Sequence, residues 1–88
     1  RPAMVISSSA HLLAASEIVI VVPCTSRDRG WINHVAVEGS HGLPVPSFAM
    51  TEQPRTIARS RIKGSAGTAS PECLSHVRAW VARWTGTV

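Results

Sequence analysis

Glu52, Gln53 and Arg55 stand close together on the chain, beside Phe48 and Met50. A strand built only for folding has no need of that set. A carboxylate accepts hydrogen bonds, an amide both accepts and donates, and a guanidinium donates from a rigid fork. Together they suit the edges of a nucleobase and the oxygens of a phosphate. Single-stranded RNA leaves its base edges open to such contacts. The plain alternative is an ordinary strand with one polar face. Arg59, Arg61 and Lys63 alternate, so an extended chain would put them on one face, to track phosphates or to meet solvent.

A second group lies upstream. Ser26, Arg27, Arg29 and Trp31 fall in a mostly polar stretch, residues 25–33, where loop arginines and an indole combine a phosphate contact with a stacking surface. Trp31 equally suits a lid over a small core. His34, just after this stretch, is the histidine placed best for acid–base work, although a lone histidine there fits a structural role as well. His11, His41 and His76 show no metal-ligand spacing. No phosphate-binding glycine loop, nucleophile elbow or paired-carboxylate motif occurs. Neither a metal nor a cofactor is expected.

These residues need elements to hold them. Residues 2–7 read as a buried strand, and residues 10–15 as a turn of helix. Residues 17–23 carry the strongest strand signal, five β-branched apolar residues in a row. A loop over 25–33 follows, turning at Asp28-Arg29-Gly30, then a short strand over 34–38. Residues 39–46, with two Gly and two Pro, read as loop. Residues 47–53 read as a fourth strand. Pro54 cannot donate to a ladder, so pairing should stop there or lie on an edge. Residues 62–68 read as one more short strand, loosened by Gly64 and Gly67. The period then changes: Leu74, Val77, Trp80, Val81 and Trp84 form one stripe of a helix over about 71–84. Ser70 suits its N-cap, Pro71 its first position, Glu72 its positive end and Gly86 its stop. Trp80 and Trp84 are expected in the core or in a dimer contact.

Eighty-eight residues allow one domain with one small core. Such a domain buries only roughly 60–65% of its unfolded surface, so dimerisation would be a natural support. The formal charge is +4, and the basic set is eight Arg to one Lys. Arginine favours bidentate phosphate contacts, which raises the case for nucleic acid, while solubility through net charge is the bland reading. Cys24 and Cys73 make neither a metal motif nor a disulfide framework and read as reduced thiols of a cytoplasmic protein. The longest apolar run, residues 18–24, is too short to span a bilayer, and no membrane association is expected.

Four motifs in order resemble the MazF/PemK family of toxin endoribonucleases. Arg1-Pro2-Ala3-Met4-Val5-Ile6-Ser7 is similar to its Arg-Pro-(apolar)-Val-Ser strand. Val21-Val22-Pro23-Cys24-Thr25-Ser26 is similar to its strand ending in Pro-x-Thr-Ser. Glu52-Gln53-Pro54-Arg55-Thr56-Ile57 is similar to its Glu-Gln-x-Arg-Thr-Ile strand. The helix after Gly67-Thr68-Ala69-Ser70 is similar to its last helix. The resemblance implies an α+β fold, a small SH3-like β-barrel with a C-terminal amphipathic helix, usually a homodimer. It further implies metal-independent cleavage of single-stranded RNA at short sequences, the 2′-hydroxyl attacking the phosphate to leave a cyclic phosphate and a 5′-hydroxyl. Arg1 and Thr25 hold the positions that carry that cleavage, and a cognate antitoxin is the implied protein partner. Without the resemblance, Arg1 reads as a frayed end and Thr25 as a turn residue. The family also has a strand and loop upstream of Arg-Pro, opening on a Gly-Glu-(Ile/Leu)-Trp-like stretch, which nothing here matches. Two rivals keep the fold: a non-cutting relative of the gyrase-poisoning toxins, and a truncated toxin that only binds RNA or antitoxin.

Overall fold

The computed structural model describes residues 1–86; Thr87 and Val88, the last two positions of the expected 1–88 unit, lie outside the described residues. The chain runs β1 (Ala3–Val5), α1 (Ser9–Ala14), β2 (Ile18–Thr25), β3 (His34–Ala36), β4 (Gly39–His41), β5 (Phe48–Met50), β6 (Arg55–Ala58), a 3-10 turn (Arg59–Arg61), β7 (Gly67–Ala69) and α2 (Pro71–Trp84). This is the α+β arrangement expected, with antiparallel sheets and one C-terminal helix.

β2 is the organiser. Its β-branched residues suit a strand covered on both faces, and Val19, Val21, Val22 and Cys24 are all buried. β1 pairs along one part of it, with Met4 opposite Val22. β5 and β6 both pair with it as well, Cys24 facing Ala49 and Val21 facing Arg55. β3 adds outside β5, Val35 opposite Ala49. β4 and β7 form a separate two-stranded ribbon.

From Ala49 to Arg55 the chain advances six positions while β2 advances three, from Cys24 to Val21. Three extra residues are therefore looped out around Thr51 to Pro54. The expected strand over 47–53 is cut to Phe48–Met50 by this excursion, and pairing resumes directly after Pro54 rather than ending there. Pro54 sits where the backbone needs no ladder bond.

Two other expectations are corrected. Residues 39–41 are a strand, not loop, because they find a partner in residues 67–69. A Cβ on Gly39 would run into the Thr68 carbonyl and one on Gly67 into that of Ser40, and both have positive φ, at 140° and 131°. Glycine is needed where these two strands meet. Arg59, Arg61 and Lys63 do not alternate on an extended face either, because Arg59–Arg61 is a 3-10 turn. Arg59 turns inward instead, donating to the carbonyls of Leu12 (2.6 Å), Ala15 (2.8 Å) and Ile18 (3.0 Å).

α2 spans the expected residues. Ser70 Oγ accepts from the Cys73 N–H at 3.1 Å, with Pro71 and Glu72 in the first turn. Cys73 and Val77 are its deepest residues and enter the core with Met4, Ile6, Val22, Cys24, Val35 and Ala49. Leu74, Trp80 and Val81 pack at the margin. Trp84 stacks on Trp80, ring centroids 5.5 Å apart, and remains about half exposed. Arg78 ties the helix to the chain after β1, donating to Ile6 O at 3.0 Å and Ser7 O at 2.9 Å. Among the described residues no helix is long and apolar enough to cross a membrane.

Candidate nucleic-acid interface

β1 and β2 set the first part of the site. Ala3 pairs with Pro23, and the Cys24 N–H donates to Pro2 O at 3.0 Å. Extending that antiparallel register by two residues places Arg1 across from Thr25, and cross-strand partners share a face. Both line a cleft of about 350 Å³ with Ser26, Leu43, Pro44 and Ser47. Arg1 and Ser26 are exposed and Thr25 half-buried. Thr25 Oγ1 accepts from the Arg27 N–H at 3.1 Å, which fixes the start of the loop.

A second cavity of about 580 Å³ shares Arg1, Pro2, Cys24 and Leu43 with the first and runs beneath residues 61–69. Arg61 and Lys63 line it; among the described residues no carboxylate lines either cavity. Two of the three basic residues expected on one face thus join Arg1, while Arg59 is spent on the carbonyls near α1.

The second part gathers around His34. Glu52 Oε1 accepts from Asn33 Nδ2 at 2.8 Å. His34 Nε2 lies 3.0 and 3.1 Å from the two Glu52 oxygens. Partial burial pushes the Glu52 carboxyl up. The His34 hydrogen bond and charge, its own backbone N–H and Gln53 outweigh that, so its pKa is lowered overall. Arg55 Nη2 donates to Gln53 Oε1 at 3.2 Å. Behind them Thr51 Oγ1 donates to Asn33 O at 2.7 Å and accepts from the Trp84 indole at 3.2 Å. The loop carries Arg29, whose guanidinium stands 5.5 Å from the Trp31 ring centre, and Trp31 in turn packs on His34. Asp28 Oδ1 accepts from the Gly30 N–H at 2.9 Å to make the expected turn.

The candidate residues therefore fall into two groups. Arg1, Thr25 and Ser26 share one cleft, while Glu52, Gln53 and Arg55 line neither cavity and belong to the His34 group. The loop carrying Arg27, Arg29 and Trp31 connects them. Sequence reasoning missed Asn33, Thr51 and Trp84 as its supports. Their partners are 18 and 33 residues away along the chain, and no local signal points to them. Among the described residues no group of three His, Cys, Asp or Glu could hold a metal ion. Cys24 and Cys73 are both buried free thiols.

Fold and groove together define a small α+β protein with Arg1, Arg61 and Lys63 on the wall of one cavity. A profile of the PemK-like, MazF-like toxins of type II toxin–antitoxin systems matches residues 1–85, and the chain belongs to that family. A MazE–MazF structure from Deinococcus radiodurans superposes with a TM-score of 0.83 at 25% identity, covering 99% of this chain and 83% of that one. The Mycobacterium tuberculosis toxin MazF-mt6 gives 0.80 at 20% identity, covering 97% and 85%. An endoribonuclease solved with its cognate antitoxin, from a mycobacterial species, gives 0.81 at 18% identity, covering 100% and 82%. No curated protein sequence matches.

Proposed function

We propose that this chain is the toxin of a toxin–antitoxin pair and that it cuts single-stranded RNA at short sequences without a metal. In this reading residues 1–88 act as one toxin domain, in a cytoplasmic homodimer that a cognate antitoxin silences. One observation carries the reading: Arg1 and Thr25 line the same cleft, and no carboxylate is among its described lining residues. Family membership supports it, and so does the likeness to an endoribonuclease bound to its cognate antitoxin and to a MazE–MazF complex.

The chemistry follows from those groups. The 2′-hydroxyl attacks the adjacent phosphorus and gives its proton to water, the bond to the 5′-oxygen breaks and that oxygen takes a proton from water, and a cyclic phosphate and a 5′-hydroxyl result. Negative charge grows on the non-bridging oxygens, where the Arg1 guanidinium and the Thr25 hydroxyl stabilise it. Arginine stays protonated, so Arg1 serves as electrostatic partner rather than base. Ser26, Arg27 and Arg29 hold flanking phosphates, Trp31 stacks a base, and Glu52, Gln53 and Arg55 contact base edges.

Cleavage of a mixed single-stranded RNA in excess chelator tests this. Wild type should give specific cuts with cyclic-phosphate ends, and Thr25→Ala should lower their rate about 100-fold or more while its melting temperature is kept. Unchanged cutting by Thr25→Ala removes Thr25 from the mechanism. Folded wild-type protein that binds RNA and cuts none of it supports the non-catalytic reading instead.

A further inference from the structure

Trp31 and Glu52 approach the same imidazole from different elements. The His34 side chain is 2% exposed, whereas Glu52 keeps 30% of its side chain open and Trp31 is 51% exposed. The Trp31 and His34 ring centres are 4.8 Å apart, tilted by 53°. Among the described residues Nδ1 of His34 is buried without a partner. A carboxylate only accepts, so His34 Nε2 is the donor to Glu52. Asn33 holds the same carboxylate from a second side at 2.8 Å. Thr51 and the Trp84 indole fix the Asn33 backbone in place. The carboxylate is thus anchored from within, Oε2 also meeting the Gln53 amide at 3.4 Å, while 30% of the side chain stays open.

A carboxylate only accepts, so its ligand must bring a donor, and its charge repels phosphate. The neighbouring indole calls for a flat ligand. An unpaired base with an exocyclic amine meets both demands; uracil has no amine and would turn carbonyl oxygens toward the charge. We propose that Trp31 and Glu52 form a subsite for one unpaired, amine-bearing nucleobase, and that His34 is the positioning residue that aims the Glu52 carboxylate. This rests on the RNA-binding reading above and adds to it which base the site selects.

Binding of 2′-O-methyl pentamers of A, C and U, which lack the attacking hydroxyl, tests the subsite apart from cleavage. Wild type should bind the A or C pentamer roughly tenfold or more tighter than the U pentamer. Glu52→Gln, at an exposed side chain, should bring that ratio to within about twofold. His34→Gln keeps a donor toward Glu52 and should retain the ratio; His34→Leu should lose it. Equal binding of all pentamers by wild type, binding of none, or an unchanged ratio in Glu52→Gln overturns the subsite. An unchanged ratio in folded His34→Leu overturns the positioning role. If His34→Leu fails to melt cooperatively, loss of the ratio in His34→Gln does the same. A preserved ratio without any RNA cleavage sinks the nuclease reading alone, and cleavage without a ratio sinks the subsite alone.

Discussion

Glu52 and Cys24 show how far a neighbourhood changes a single side chain. The Glu52 carboxyl titrates below its ordinary value of 4.5 because His34 and the nearby N–H donors outweigh its partial burial. A lowered acid contributes stability above its unfolded pKa and loses it as pH falls through the folded one. The knot joining loop, bulge and helix end should therefore loosen only in acid below that ordinary value. Cys24 goes the other way. Burial first, then the nearby Cys73, pushes its thiol from 9.0 to about 11. A raised thiol contributes fully below its unfolded pKa, and the contribution is lost between about 9 and 11 as the unfolded chain ionises first. Denaturant titrations should show roughly 2–3 kcal/mol of stability lost over that range, and Cys24→Ser should flatten the loss. A wild-type curve level up to pH 11 would mean the thiol ionises without opening the core.

Among the elements, the β4–β7 ribbon depends most on a single residue type. Gly39→Ala must relieve both a positive φ and a collision with the Thr68 carbonyl. The expected cost is about 2–4 kcal/mol, against less than about 1 kcal/mol for Gly64→Ala, whose added Cβ meets nothing. Equilibrium unfolding of the two variants measures the difference. The same ribbon marks the boundary of what the residues disclose. α2 was legible because its cap, first turn and stripe are all local, and β2 because five β-branched residues leave few alternatives. Gly39–His41 looked like loop because its pairing lies in Gly67–Ala69, a partner no window over residues 39–46 contains. Arg59 looked like a phosphate contact because the carbonyls that take it lie more than 40 residues upstream. In the candidate site, Glu52 was visible by residue type, whereas Thr25 stood out only through the resemblance. The hydrogen bonds that restrain Glu52 were not visible, since His34 and Asn33 reach it only through the β3–β5 pairing.

At the scale of the whole molecule, the charge of +4 is unevenly placed. Arg59 and Arg78 neutralise backbone carbonyls, whereas Arg1, Arg61 and Lys63 share a cavity wall. Three phosphates held there give a slope of about −2 for log affinity against log salt on a single strand. Titrating an uncleavable RNA across salt concentrations checks it, and a slope near zero would take the phosphates away from this groove. The loop-out between Ala49 and Arg55 constrains the molecule in another way. Strand faces alternate, so an odd number of extra residues exchanges inside for outside. Ala49 shares a face with Cys24, whereas Arg55 shares one with Val21, on the opposite side of β2. The three-residue surplus is what keeps the Arg55 guanidinium off the face that Ala49 and Cys24 turn to the core. Chain length there is thus a matter of parity: it can change by two and preserve which side every later residue of β6 occupies, whereas a change of one turns the strand inside out.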